Sequence, residues 1–314
     1  MHEPILTEEG KQMLERIVNI FPAIVHRGRR EKIMSILSGM MATRGIPEAG
    51  EELVIEAAKF VVPKSFDAFF DRWKNPEKYN RILIDSYDDM EVYYSRPIQV
   101  RKWERIDTLK PNKPPEQMKV LAFCASPRRN GNTDLFVEEA LKGAMSTGAQ
   151  GEKVMLHHIK MKYCIGCRRC KDPDFEPMCA VKDNMTDIYQ KIIESDAIIV
   201  GFPVYTGREC AQLSTFLDRW DCFARYRHQG KLETWKRGMV IGTWGYPSID
   251  SYDDIIENVM LCLKFHKIET VEALSACGFE GILHGLDDER KGMIARYPEE
   301  LHKAYEAGIG LVKG

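Results

Sequence analysis

The stretch Lys119–Thr133, KVLAFCASPRRNGNT, indicates the fold class of this chain. Its first six residues form a short apolar run, its middle is rich in Ser, Pro, Asn and Gly, and a helical stripe of apolar residues follows. A strand that turns through such a loop into a helix is the first unit of a doubly wound sheet, and phosphate groups bind where the helix starts. The sequence therefore predicts an α/β fold with an anion site at residues 125–133.

Four further apolar runs follow, and they alternate with helical stripes. This alternation predicts a doubly wound parallel sheet of five strands with the flavodoxin-like order 2-1-3-4-5. The five predicted strands are KVLAFCA, KVMLHHI, AIIVGF, GMVIGTW and TVEALSA.

The first third of the chain has a helical period. Apolar residues recur at helical spacing in 14–21, 33–41 and 53–61, and Gly45 and Pro63 end the last two stripes. Residues 110–117, KPNKPPEQ, contain three prolines and no apolar period, which is typical of a linker. We expect a small helical accessory domain with its linker at 1–117 and a flavodoxin-like domain at 118–314.

Composition excludes several classes of protein. The 314 residues include 45 basic and 47 acidic side chains, so a formal charge of -2 gives no general attraction to nucleic acid or to an anionic membrane. The basic run HRGRREK at 26–32 is typical of a solvated helix face. The first residues lack the apolar core of a signal peptide and no apolar run is long enough for a membrane span, so we expect a cytoplasmic protein without nucleic-acid or membrane partners.

The loop after the first strand offers groups that suit a phosphate. Ser126, Asn132 and Thr133 carry side-chain donors, Arg128 adds positive charge, and Gly131 permits a tight turn. The loop lacks both the Gly-Lys-Ser/Thr and the G-x-G-x-x-G patterns, so it favours a mononucleotide over a dinucleotide. The alternative is a turn that only caps the helix.

Two more motifs accompany this loop. GFPVYT at 201–206 precedes a helix that contains FLDR at 216–219, and a cysteine-rich loop ends in DNM at 183–185. Together with SPRRNGNT, these motifs resemble the iron-sulfur flavoprotein branch of the NADPH-dependent FMN reductases over about residues 119–283. The resemblance implies a flavodoxin-like fold that binds FMN, and the single phosphate loop favours FMN over FAD.

The resemblance also implies where FMN binds. The phosphate group is assigned to Ser126, Arg128, Asn130, Asn132 and Thr133. The isoalloxazine ring is assigned to Pro203, Val204, Tyr205, Thr206 and Gly207, with Thr243 from the loop after the fourth strand. In that loop Trp244 and Tyr246 are expected either to cover the ring or to pack in the core. Ser214 departs from the family, which usually has Lys there.

Four of the nine cysteines have the spacing C-x2-C-x2-C-x8-C, at Cys164, Cys167, Cys170 and Cys179. Three such closely spaced thiolates suit a [4Fe-4S] cluster, while a zinc site and a loop without metal are the alternatives. The last interval is longer than is usual in the family, so Cys210 is a second candidate for the fourth ligand. His157 and His158 are adjacent strand residues that face opposite sides, so we expect neither to be a ligand.

These features favour an oxidoreductase that passes electrons between a donor, such as NAD(P)H or a ferredoxin-like protein, and an acceptor through FMN and the cluster. No catalytic side chain is required, because the cofactors supply the chemistry. The resemblance also implies a homo-oligomer. One alternative is a cluster-free NAD(P)H-dependent FMN or quinone reductase, and another is a non-catalytic binding protein with the same fold.

The region from Leu14 to Ala57 weakly resembles a small helical domain of light-independent protochlorophyllide reductase, found at the C-terminus of one of that enzyme's chains. This resemblance implies an accessory module near redox cofactors. The alternative is a helical extension that only buries surface.

Overall fold

The computed structural model describes residues 4–63, 66–75, 98–104, 109–224, 232–246, 249–278 and 291–314. The chain divides into two compact units, residues 1–80 and 81–314. Within these ranges, no helix combines the length and the apolar character needed to cross a membrane.

The first unit is helical, as predicted. Its helices are α1 (Glu8–Val18), α2 (His26–Arg44), α3 (Glu51–Ala58) and α4 (Asp67–Lys74). The Thr7 hydroxyl begins α1 by accepting a hydrogen bond from the Gly10 amide at 3.1 Å, and Gly45 ends α2 in the left-handed conformation. The predicted apolar stripes supply buried core residues that include Ile17, Leu37 and Ala57. Phe60, predicted in the third stripe, instead lies in a turn after α3 and is 74% exposed.

The second unit is built on a sheet. Its strands are β1 (Gln99–Lys102), β2 (Lys119–Cys124), β3 (Gln150–Met155), β4 (Ala197–Tyr205), β5 (Arg208–Glu209), β6 (Lys236–Thr243) and β7 (Ile268–Cys277). Strands β2, β3, β4, β6 and β7 are parallel and lie in the order β3-β2-β4-β6-β7. This is the order 2-1-3-4-5, so the predicted flavodoxin-like fold is confirmed.

The sheet has two strands that were not expected from the sequence. Strand β1 pairs antiparallel with β7 at one edge, and β5 pairs antiparallel with β4. Since β1 precedes residues 110–117, the sheet includes chain on both sides of the predicted linker. Strand β3 begins at Gln150 rather than at Lys153, and His157 and His158 lie in a 3₁₀ turn beyond its end.

Helices cover both faces of the sheet. They are α5 (Asn132–Met145), α6 (Met185–Glu194), α7 (Ala211–Asp218), α8 (Asp253–Phe265) and α9 (Pro298–Lys313). Along β2, Leu121 and Phe123 pack in the cluster with α6, α7 and α8, while Val120 and Ala122 pack in the cluster with α5 and α9. With both faces covered, the carboxyl edge of the strands is where a site belongs.

Candidate cofactor site

The ends of β2, β4 and β6 bring the three predicted FMN loops together. Cys124 at the end of β2 is in register with Gly201 in β4, and Pro203 is in register with Thr243 at the end of β6. The Ala125 amide extends the ladder by donating to the Gly201 carbonyl at 2.8 Å. The loops that follow β2 and β4 therefore start side by side at the topological switch point of the sheet.

The phosphate loop is ordered by its own hydrogen bonds. The Ser126 hydroxyl accepts from the Arg128 amide at 3.2 Å, and the Arg128 carbonyl accepts from the Gly131 amide at 3.3 Å. Asn130 has a φ of 57° and donates its amide to the Asp134 carboxylate at 2.9 Å. No described side chain caps the start of helix α5, so the amides of its first turn remain for an anion.

The side chains of Asn132 and Thr133 suit a bound phosphate group. Both are buried, and the Asn132 Oδ1 accepts from the Ile294 amide at 3.0 Å while its Nδ2 has no partner among the described residues. The hydroxyls of Thr133 and Thr243 are 2.7 Å apart, so one donates to the other and a second proton is left for a further acceptor. An unpaired buried donor costs about 1–3 kcal/mol, and phosphate oxygens would satisfy both groups.

A segment far along the chain supports this loop. The Gly292 amide donates to the Asn130 carbonyl at 2.7 Å. A Cβ on Gly292 would lie 2.4 Å from the Asn132 Oδ1 and 2.5 Å from the Asn132 amide nitrogen, so only glycine permits this approach. No sequence pattern indicates this contact, because Gly292 lies outside the three motifs and its partners are distant in the chain.

The ring loop is a tight hairpin between β4 and β5. Thr206 and Gly207 are its two central residues, with φ of 51° and 73°, between the paired residues Tyr205 and Arg208. Two positive φ values are typical of a type I′ turn, and Thr206 is an unusual occupant because it is β-branched. Of the predicted ring contacts, Pro203 and Val204 are buried in β4, whereas Tyr205, Thr206 and Gly207 are exposed.

Tyr205 lies near the phosphate loop. Burial raises the pKa of its hydroxyl, and the Arg128 guanidinium opposes that rise, which places these two side chains within electrostatic reach of each other. The Tyr205 side chain is 38% exposed. An aromatic ring beside a cation at the open edge of the sheet suits a flat anionic ligand.

The loop after β6 contributes differently. The Trp244 ring is buried and meets the Tyr252 ring edge-on, with 5.4 Å between centroids, and Tyr246 packs against the same core cluster. Trp244 therefore packs in the core, which was one of its two predicted roles. Residues 247 and 248 of this predicted loop lie outside the described residues.

The four loop cysteines differ in burial. Cys164 and Cys167 are exposed, while Cys170 and Cys179 are half-buried. Burial raises the pKa of the Cys170 thiol, and Cys164 and Cys179 are close enough to contribute electrostatically. Within the described ranges, the structure does not arrange three or more Cys, His, Asp or Glu side chains around one metal position.

Cys210, the second candidate for a fourth ligand, is buried beneath the phosphate loop. Its thiol donates to the Ala125 carbonyl at 3.5 Å. Cys124 is buried there as well, and burial, followed by the Asp134 charge, raises its pKa to about 12. Both thiols are thus packed in the core, and Cys124 stays protonated.

The chain resembles known flavoproteins in sequence. The family described as NADPH-dependent FMN reductase matches residues 118–260. An iron-sulfur flavoprotein of Methanocaldococcus jannaschii is 41% identical over 102 residues, which are 32% of this chain and only 51% of that protein. An iron-sulfur flavoprotein of Archaeoglobus fulgidus is 28% identical over 190 residues, which are 60% of this chain and 81% of that protein.

Solved structures with a similar fold include the NAD(P)H:quinone oxidoreductase from Methanothermobacter marburgensis. It covers 62% of this chain and 96% of its own, with a TM-score of 0.46 and 18% identity. The family match lies within the second unit. Residues 118–260 thus match the NADPH-dependent FMN reductase family, and the predicted resemblance to its iron-sulfur flavoprotein branch is confirmed by sequence relatives of that description.

Proposed function

We propose that this protein is an FMN-dependent oxidoreductase that passes electrons from a reduced donor to an acceptor through FMN and a [4Fe-4S] cluster. The observation that carries the FMN site is the buried Asn132 Nδ2 at the start of α5, a donor without a partner among the described residues. The Thr133–Thr243 hydroxyl pair lies beside it. The amide needs an acceptor, the hydroxyl pair can donate one further proton, and both lie at the switch point of the sheet.

The phosphate of FMN binds Ser126, Arg128, Asn130, Asn132 and Thr133, and its ring binds Pro203, Val204, Tyr205, Thr206, Gly207 and Thr243. The hairpin supplies backbone groups to the ring edge, and buried Pro203 and Val204 exclude water beneath it. Arg128 offsets the phosphate charge. When bound, FMN supplies hydride and single-electron transfer, so this chain's residues bind, orient and shield.

The second cofactor binds at Cys164, Cys167, Cys170 and Cys179. Thiols are the ligand type that iron-sulfur clusters require, and the spacing of the first three supports one cluster in one loop. Names of the sequence relatives support the same assignment. When bound, the cluster supplies one-electron transfer, and the chain's part is to hold four thiolates.

The partners follow from this chemistry. The donor is NAD(P)H or a ferredoxin-like protein, and nine cysteines without a disulfide support a reducing, cytoplasmic location. Tyr163 and Ile165, which flank Cys164, are exposed apolar side chains that a homo-oligomer would cover. Light scattering at micromolar concentration would test the oligomer, and a monomer would contradict it.

The visible spectrum of anaerobically purified protein tests both cofactors. We expect flavin bands, a broad shoulder that bleaches with dithionite, and a heat-released flavin that migrates as FMN. Flavin without iron would favour the cluster-free NAD(P)H-dependent FMN or quinone reductase. A colourless protein that also fails to take up added FMN would favour a binding protein with this fold.

A further inference from the structure

The cysteine loop is closed at its base by the DNM motif. The Asn184 Oδ1 accepts from the Lys160 amide at 3.1 Å, and the Asn184 amide donates to the Lys160 carbonyl at 3.3 Å. The Asp183 carboxylate accepts from the amides of Lys162 at 2.9 Å and Met185 at 3.0 Å. The backbone segment that enters the loop is thereby hydrogen-bonded to the segment that leaves it.

Arg219 fills the centre of this base. Its side chain is 0% exposed and that of Asp183 is 3% exposed. The guanidinium binds both oxygens of the Asp183 carboxylate, with Nη1 to Oδ2 at 2.6 Å and Nη2 to Oδ1 at 3.2 Å. It also donates to the Lys162 carbonyl at 2.7 Å and to the Val181 carbonyl at 3.3 Å.

These two carbonyls belong to opposite arms of the loop. Lys162 lies two residues before Cys164, and Val181 lies two residues after Cys179. One planar guanidinium therefore holds the backbone beside the first and last cysteines at the same time. A lysine ammonium would keep the charge but lacks the planar fork that meets a carboxylate and two carbonyls together.

The element that carries Arg219 holds the loop a second time. Arg219 begins a 3₁₀ helix, Arg219–Phe223, that follows α7. Lys171, next to Cys170, pairs with the Asp221 carboxylate at 3.2 Å and donates to the carbonyls of Asp221 and Ala224. The middle of the loop and its base are thus fastened to one short helix.

The electrostatics of the pair agree with this geometry. Burial by itself raises the pKa of Asp183, but the bonds from Arg219 and from the Lys162 and Met185 amides outweigh it and hold that pKa below its ordinary value. The carboxylate is therefore charged at neutral pH. A buried charge that loses its partner destabilises its surroundings strongly, so each member depends on the other.

We propose that Arg219 and Asp183 are the positioning pair of the cysteine loop and hold the thiols of Cys164, Cys167, Cys170 and Cys179 in place relative to the 3₁₀ helix Arg219–Phe223. What the thiols bind rests on the proposed function. The ordering of the loop by Arg219 and Asp183 is independent of the proposed function.

Alkylation of the metal-free protein by iodoacetamide, read for each cysteine by mass spectrometry, tests the ordering. In the parent, the half-buried Cys170 and Cys179 should react more slowly than Cys164. In Arg219→Lys their rates should rise by roughly tenfold, because the loop opens locally. Buried Cys124 should remain unreactive in both proteins, which shows that the sheet is intact.

Two more variants separate positioning from loss of stability. Arg169→Lys is the matched control, since Arg169 is an exposed arginine of the same loop whose guanidinium stacks 4.9 Å from the centre of the Phe175 ring. It should react like the parent. Arg219→Met with Asp183→Asn removes both buried charges, so it should unfold at a higher denaturant concentration than Arg219→Met alone while its loop thiols stay reactive.

Reconstitution with ferrous iron and sulfide gives a second measurement. Iron per FMN should fall severalfold in Arg219→Lys, with FMN per chain unchanged. If the parent binds no iron but Cys170 and Cys179 still react faster in Arg219→Lys, the cluster is excluded and the positioning role of the pair is supported. Parent-like alkylation in Arg219→Lys, or a parent whose Cys170 and Cys179 react as fast as Cys164, would overturn the proposal.

Discussion

At the level of single residues, the two polar atoms of the Asn132 side-chain amide have different roles. Its Oδ1 is held by the Ile294 amide, which fixes the amide plane and directs the Nδ2. This nitrogen has no partner in the part of the chain that the structure describes. The orientation of this proposed phosphate donor is thereby set before any ligand arrives, and a fixed donor loses less entropy on binding.

Asn132→Ala combined with Thr133→Val should weaken FMN binding at least about tenfold, because each donor to a charged group contributes about 1.5–3 kcal/mol. Riboflavin lacks the phosphate, so its affinity should change little. Fluorescence titration with both flavins gives the comparison. Equal losses for FMN and riboflavin, or no loss for either, would show that these side chains do not contact the phosphate.

Gly292→Ala should also weaken FMN binding, although Gly292 touches the loop from behind. Its φ of -61° suits alanine, so the effect comes from the added methyl group, which must displace Asn132 at a cost of about 1–3 kcal/mol. Gly39→Ala in α2 is the control, since nothing lies within 4 Å of its Cβ position. Parent-like FMN affinity in Gly292→Ala would argue against a role for this segment.

His266 should make the fold sensitive to acid. Burial lowers the pKa of its imidazole to about 4, with Lys171 acting in the same direction and Asp221 opposing it. The unfolded chain binds this proton near pH 6.5, so between pH 6.5 and 4 the free energy of unfolding should fall by up to about 1.4 kcal/mol per pH unit.

Urea unfolding at pH 7 and pH 5 measures this dependence. His266→Phe should reduce the loss of stability on acidification, whereas His302→Phe, at an exposed position of α9, should leave it unchanged. The same acid dependence in His266→Phe and the parent would assign it to other groups.

At the scale of elements, regular patterns were predictable and contacts between distant segments were not. Strands β2, β4 and β6 contain apolar runs that are buried, and α2 has a clear stripe with a glycine at its end, so these elements follow from local sequence. Strand β3 reads QGEKVM, and its first three residues carry no apolar signal. Strand β1 reads QVRK, and its strand character comes from pairing with β7 rather than from an apolar period.

The candidate site shows the same division. The loop motifs predicted Ser126 and Tyr205 at the carboxyl edge of the sheet, and both lie there. The sequence could not show that Gly292 would pack on Asn132 or that Arg219 would join two arms of the cysteine loop, because such contacts depend on the folded arrangement of segments far apart in the chain.

The cysteine loop as an element should be separable from the flavin site. Cys167→Ser should lose iron and the broad absorbance while FMN stays bound, because the FMN loops follow other strands. Flavin reduction by a chemical two-electron donor should persist, and transfer to a one-electron acceptor protein should fall steeply. Cys262→Ser, on α8, should resemble the parent. Parent-like transfer in a Cys167→Ser protein without iron would exclude the cluster from the electron path.

At the scale of the whole molecule, the second unit should bind FMN without the first. All the proposed FMN residues lie in residues 81–314. A chain starting at residue 81 should therefore retain bound FMN, and its second unit should unfold at the same denaturant concentration as in the full chain. A chain starting at residue 117 also lacks β1, which leaves the edge of β7 unpaired, and should be less stable. Loss of FMN from the chain that starts at residue 81 would mean that the first unit contributes to the site.

The buried arginine at the base of the cysteine loop also sets a rule for protein engineering. Suppose that residues 160–185 are copied as a cassette into a flavoprotein scaffold that lacks this arginine. The graft then arrives with a buried Asp183 carboxylate and no counter-charge, since Arg219 follows a different strand and helix. A functional graft must include both residues 160–185 and the segment that carries Arg219, so the loop and its arginine form one discontinuous structural module.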